Sequence, residues 1–161
     1  IDGQGQITRE RGDVLSPTFS PDGRWLAYES DPTSQPQIYV QAMGGGQPRR
    51  ISLYTRNERT NAAGPDWSPN GDRIAYAAFS RGVFQVFTVN PDGSDRRMLT
   101  TRGRNESPSW APDGRHVVFS STDRNGYAIW VIDTVTGRAR TLTSGRIDEF
   151  PDWSPSLAPG S

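Results

Sequence analysis

Four carboxylates recur at one kind of position in this chain: Asp13, Glu106, Asp148 and Glu149 each stand a few residues ahead of Pro17, Pro108 or Pro151. Two carboxylates flanking a bond can act as acid and base on a glycoside, so paired-acid hydrolysis stays open on these residues alone. Their repeated placement suits a different use, a shared acidic rim that meets the polar groups of a partner. The same segments carry Arg56, Arg59, Arg104 and Asn105, and arginine is enriched where proteins meet proteins. Together these eight residues form the candidate partner-binding set.

Other chemistries find less material. The chain has no cysteine, which removes disulfides, thiol nucleophiles and thiolate metal sites. All 18 basic residues are arginine, so no lysine can form a Schiff base. The single histidine, His116, follows a turn glycine and Arg115 at the start of a strand; it reads as a surface residue, and one histidine without cysteine does not make an ordinary zinc site. No G-x-S-x-G elbow is present. The acids of the Pro-Asp-Gly turns come once per repeat, whereas calcium draws several oxygens from one dense loop. No cofactor and no catalytic residue is therefore expected. The 18 acidic residues cancel the 18 basic ones, leaving no net field to attract nucleic acid or an anionic membrane.

The elements that hold these residues are set by an internal repeat. The segments SPTFSPDGRWLAYES, GPDWSPNGDRIAYAAF and SPSWAPDGRHVVFSS share one plan, and Pro17, Pro65, Pro108 and Pro151 are spaced by 48, 43 and 43 residues. That period belongs to a four-stranded propeller blade. In each unit a short first strand (Thr18–Ser20, Asp66–Ser68, Ser109–Ala111) runs into Asp-Gly or Asn-Gly, residues that tolerate the positive φ of a tight turn. The second strands follow at Trp25–Glu29, Ile74–Ala78 and Val117–Ser121, and the third at Gln37–Gln41, Gln85–Val89 and Ala128–Ile132. The fourth strands end in Ile51-Ser52, Leu99-Thr100 and Leu142-Thr143. The expected fold is all-β: a β-propeller segment spanning 1–161, with complete blades at about 17–52, 65–100 and 108–143 and partial strands at 4–8 and 150–155. Phe19, Trp67, Trp110 and Trp153 recur once per unit and are expected to pack between blades. The candidate rim then lies in the crossover loops Arg11–Ser16, Asn57–Gly64, Arg102–Ser107 and Arg146–Phe150.

The motif P-x-[WF]-[SA]-P-[DN]-G, followed by an apolar strand such as IAY or VVF, then IYV or IWV and a closing LT, resembles the TolB-like propeller repeat over nearly the whole chain. The run from Asp148 to Pro155 resembles the end of such a propeller, where a first strand closes the ring. The family resemblance implies a periplasmic, non-catalytic module with protein partners, among them the lipoprotein Pal, engaged around the mouth of the propeller channel. No nucleic acid partner and no membrane insertion by this segment follow from it. Three complete blades do not close a ring. The expectation is therefore either that this segment belongs to a longer protein, the favoured reading, or that neighbours cover an open stack. Two further functional readings accompany the first: a structural subunit on the periplasmic side of a membrane complex, and part of a propeller-bearing peptidase or carbohydrate-active enzyme.

Overall fold

The computed structural model of the chain describes residues 13–32, 34–53, 60–123, 126–143 and 148–153. Among these residues all regular structure is β: twelve strands in three four-stranded antiparallel sheets. The first sheet runs β1 (Val14–Phe19), β2 (Trp25–Ser30), β3 (Gln37–Ala42), β4 (Arg49–Arg50). The second holds β5 (Ala62–Trp67), β6 (Ile74–Ser80), β7 (Val83–Val89) and β8 (Arg97–Met98). The third holds β9 (Arg104–Trp110), β10 (His116–Asp123), β11 (Gly126–Asp133) and β12 (Ala139–Thr141). Each sheet is a simple meander in sequence order, so strands one and four are its edges. The three sheets are the expected blades.

The cores lie between blades. Ala27, Ile38, Val40 and Ile51 of the first meet Ala62, Trp67, Ile74, Tyr76 and Val89 of the second. Ala75 and Val86 of the second meet Trp110, Val117, Phe119 and Ile132 of the third. The middle sheet thus buries side chains on both faces by sharing them with its two neighbours, and the first and third sheets each bury one face against it, the stacking that radial repetition uses. Trp67 and Trp110 are 6% and 5% exposed and hold the junctions. Phe19 and Trp153, at the equivalent positions, are 54% and 36% exposed. By the shared register Phe19 points away from the second blade, and no described sheet stands on that side.

The turn after each first strand is closed by its own polar atoms. Gly23 N–H donates to Ser20 O at 2.8 Å, and Asp22 Oδ1 accepts from Ser20 Oγ at 2.6 Å and from Arg24 N at 3.0 Å. In the third blade Asp113 accepts from Arg115 N and His116 N and pairs with His116 Nδ1 at 2.6 Å. These acids are spent within the turn, which holds Asp22 and Asp113 below the ordinary carboxylate range: its hydrogen bonds do so for Asp22, and for Asp113 they outweigh desolvation.

The closing Ser or Thr of each unit lies just past the fourth strand and has a definite task. Ser52 Oγ donates to Gln37 Oε1 at 2.6 Å and accepts from Ile38 N at 2.9 Å. Thr100 Oγ1 repeats both bonds with Gln85 Oε1 (2.7 Å) and Val86 N (2.9 Å). The same glutamines donate to the crossover backbone, Gln37 to Thr60 O at 2.7 Å and Gln85 to Gly103 O at 2.8 Å. The third blade keeps only Ile129 N to Thr143 Oγ1, at 3.1 Å, because Ala128 replaces the glutamine. The motif therefore ties the outer strand, the third strand and the crossover to the next blade.

Two expected features differ. The first strands begin at Val14, Ala62 and Arg104, several residues earlier than the motif suggested, so the later part of each of the first three crossovers is strand and not loop. The described part of the trailing segment, Asp148–Trp153, forms no strand; a first strand needs its own second strand beside it, and none is described there. The expected leading strand at 4–8, and residues 154 and 155 of the trailing one, lie outside the described residues.

Candidate functional site

The anchoring prolines mark a backbone device. Ser16, Gly64, Ser107 and Phe150, each immediately before one of them, have φ of 50°, 58°, 51° and 55°. Three of the four are not glycine, and positive φ is uncommon for such residues. In β1, β5 and β9 the pairing register slips at this point, between Leu15 and Thr18, Ala63 and Asp66, and Glu106 and Ser109. These are β-bulges on edge strands, the setting in which a strand tolerates proline. A bulge breaks the ladder locally and re-aims the side chains around it.

The second and third bulges, with Ser16 and the Phe150-Pro151 step, border one groove of about 440 Å3. Carboxylates from all three blades line it: Glu29 on β2, Asp66 on β5 and Glu106 on β9. Glu29 Oε2 accepts from Gly64 N at 3.4 Å, across the first junction. Asp66 Oδ2 accepts from Trp110 N at 2.6 Å, across the second. Ser109 Oγ donates to Asp152 Oδ1 at 3.2 Å, and Phe150 N donates to Ser120 Oγ at 3.1 Å, which seats the trailing segment against the third blade. Burial pushes the Asp66 carboxyl up, opposed by the Trp110 N–H hydrogen bond and aided by the charge of Asp152. Burial likewise pushes Glu29 up, with Asp31 adding to it. The groove sets these three carboxylates among alanine, proline and phenylalanine side chains, a surface whose negative charge suits N–H donors and cationic side chains.

Glu106 is engaged by Arg104, whose Nε lies 2.6 Å from Oε2 and whose Nη2 donates to Oε1 at 3.0 Å. This two-point pair holds the Arg104 guanidinium 5.7 Å from the Phe84 ring centroid and raises the arginine further above its usual value. Arg104 is exposed and Glu106 half-buried, so the pair forms one lip of the groove. Asp13 is exposed just before β1, its carbonyl accepting from Asp31 N at 3.3 Å, and does not line the groove. Asp148 is half-buried and Glu149 exposed; both directly precede Phe150 and Pro151, which do line it. Asn105 is placed otherwise than expected. It is 1% exposed, and its Nδ2 donates to Gln85 Oε1 at 3.0 Å and Arg102 O at 2.8 Å. It belongs to the interior tie between blades because alternation along β9 turns it away from the face of Arg104 and Glu106. Arg56 and Arg59 lie outside the described residues.

Glu29, Asp66 and Ser109 were not among the residues expected at the rim. One signal pointed to two of them. The position after the anchoring proline reads Thr18, Asp66, Ser109 and Asp152, varying while the aromatic beside it stays constant in kind. His116, paired with Asp113 at a turn, does not line the groove.

Comparison with known proteins places this geometry. The sequence profile of the TolB beta propeller domain matches residues 2–157. The Tol-Pal system protein TolB of Anaeromyxobacter dehalogenans is 44% identical over 103 residues, covering 63% of this chain and 23% of that protein. The crystal structure of TolB from Acinetobacter baumannii superposes with a TM-score of 0.76 at 26% identity, over 91% of this chain and 36% of that one. A putative tricorn protease homolog of Streptomyces coelicolor is 32% identical over 110 residues, 62% of this chain and 9% of that protein. The chain spans well under two thirds of each of these proteins. It belongs to the TolB β-propeller domain family.

Proposed function

We propose that the chain is a non-catalytic, protein-binding propeller segment of the bacterial periplasm, acting in the Tol-Pal envelope system and receiving its partner at the acidic groove. The observation that carries the reading is the groove itself: the bulged edge strands β5 and β9 bring Asp66 and Glu106 to one concave wall, which Glu29 joins from the inner strand β2. Such a wall favours a donor-rich segment of an envelope protein, a Pal-type lipoprotein or a membrane-complex subunit. The TolB relatives support the envelope setting. Among the described residues no helix is long and apolar enough to cross a membrane.

Glu106, Asp148 and Glu149, with Arg104, are the proposed contact residues, together with Asp66. Titrating a purified Pal-type lipoprotein into the Glu106→Arg/Asp148→Arg double variant tests this. Each reversal replaces an attraction with a repulsion, and the expected loss is about tenfold in affinity, or ~1.4 kcal/mol. The melting temperature should fall by no more than about 4 °C, since an ion pair open to solvent on its arginine side contributes about 0–1 kcal/mol. Unchanged affinity would count against the groove.

A second reading follows from the tricorn homolog: the segment serves as the propeller of a larger peptidase. A hydrolase domain in the same polypeptide, with peptidase activity of the intact protein, would favour it over the first.

A further inference from the structure

The two blade junctions differ in one way near the outer strands that opens a space. At the first junction Tyr76 and Phe87 stack with centroids 5.8 Å apart, and Arg96 lies close enough to the Tyr76 hydroxyl for its charge to oppose the effect of burial on that phenol. The β7–β8 turn closes the junction: a Cβ on Gly93 would stand 3.6 Å from Ile51 Cα, and Arg49 Nη2 donates to Pro91 O at 3.1 Å. At the second junction the corresponding residues, counted from the closing Leu-Thr and along β10 and β11, are Phe119, Trp130 and Ala139. The phenol oxygen and the guanidinium arm are both gone. The turn is also one residue wider, with Asp133 N bonded to Arg138 O where Asn90 N bonds Ser94 O, and a Cβ on Gly137 would meet nothing within 4 Å.

What remains is a cleft of about 430 Å3, walled by Leu99, Phe119, Trp130, Ile132 and Ala139. Arg102 stands at its polar side and is exposed. A cleft of this size with apolar and aromatic walls and a few polar groups has the character of a small-molecule site. Half-buried Trp130 offers a ring surface on which a flat ring gains by offset stacking, and the arginine offers a planar cation suited to an oxyanion. We propose that this inter-blade cleft binds a small planar aromatic ligand bearing an anionic substituent, with its ring against Trp130 and its anion at Arg102. The site is separate from the acidic groove and does not depend on the function proposed there.

Naphthalene-1-sulfonate is a suitable probe, titrated into the 161-residue chain by calorimetry while the Trp130 indole N–H is followed by NMR. Saturable one-to-one binding with a shift of that resonance is expected. Ala139→Arg, which restores the arrangement at Arg96, and Ala139→Met, which fills the cleft without adding charge, should each weaken binding by about tenfold or more. Because Ala139 is exposed, both variants should keep the parent melting temperature. Arg102→Gln should weaken the sulfonate but leave the neutral 1-naphthalenemethanol unchanged. Undiminished binding in both Ala139 variants, no saturation by millimolar probe, or equal loss of both probes in Arg102→Gln would each overturn the proposal.

Discussion

Thr100→Val isolates the polar tie that closes each blade. The change is nearly isosteric, so it leaves packing in place and deletes a hydroxyl that makes two buried bonds. The Val86 N–H loses its acceptor at 2.9 Å, and Gln85 Oε1 loses the donor at 2.7 Å. Thr100 is 8% exposed and Val86 fully buried, so water does not readily replace either bond. Gln85 Oε1 keeps Asn105 Nδ2 at 3.0 Å, which limits the damage on the acceptor side. An orphaned buried backbone N–H costs about 1–3 kcal/mol, and the lost hydroxyl bond adds up to about 1. The expected destabilisation is therefore about 2–3 kcal/mol, against about 1 kcal/mol for Thr143→Val, whose hydroxyl meets Ile129 N without a glutamine. Urea titrations at fixed pH read both variants as a shift in midpoint at constant slope. Equal losses in the two, or a loss below about 0.5 kcal/mol in Thr100→Val, would refute the role assigned to the closing Thr.

Further expectations concern the junctions and the groove. Asp66 has its carboxyl raised by burial, so the folded state is favoured by protonation there; stability from this group is present below its unfolded value and declines as pH rises through the raised folded one. Asp66→Asn keeps an acceptor for the Trp110 N–H and should flatten that decline in a pH series of melting temperatures; an unaltered pH profile would show that Asp66 is not the group responsible. Asp66→Ala removes the acceptor and should cost about 1–3 kcal/mol in a urea titration at neutral pH. Gly114→Ala places a Cβ at φ 64° and against the Asn70 amide of the neighbouring turn; calorimetry should show a loss of roughly 1–2 kcal/mol from the backbone conformation, eased only in its steric part by Asn70→Ala.

Much of the architecture can be read from spacing. Pro17, Pro65 and Pro108 with their Asp-Gly or Asn-Gly turns fix the hairpins, and the alternating runs after them fix the second and third strands. The first strands were harder to bound. Ser16 and Ser107 take positive φ without being glycine, so only Gly64 hints that the residue before each proline is a bulge inside a strand and not the end of a loop. That displaced the site as well. Read as loop, Arg104, Asn105 and Glu106 look alike; read as strand, alternation buries Asn105 and leaves the other two at the groove. Glu29 sits in an ordinary second strand, and only the meeting of β2 with β5 gives it a place in the site. The exchange of Tyr76 and Arg96 for Phe119 and Ala139 is visible in the repeat, yet its consequence depends on the wider β11–β12 turn.

The central claim, that the partner docks in the acidic groove, is tested most directly by site-specific photo-crosslinking in a bacterial envelope containing the Pal-type lipoprotein. A benzophenone side chain is placed at Ser107, inside the groove, and in a second variant at Leu142, which is 42% exposed beyond β12. The account predicts a cross-link to the lipoprotein from position 107 and none from 142. A cross-link from 142 alone, or equal yields from both, would contradict it.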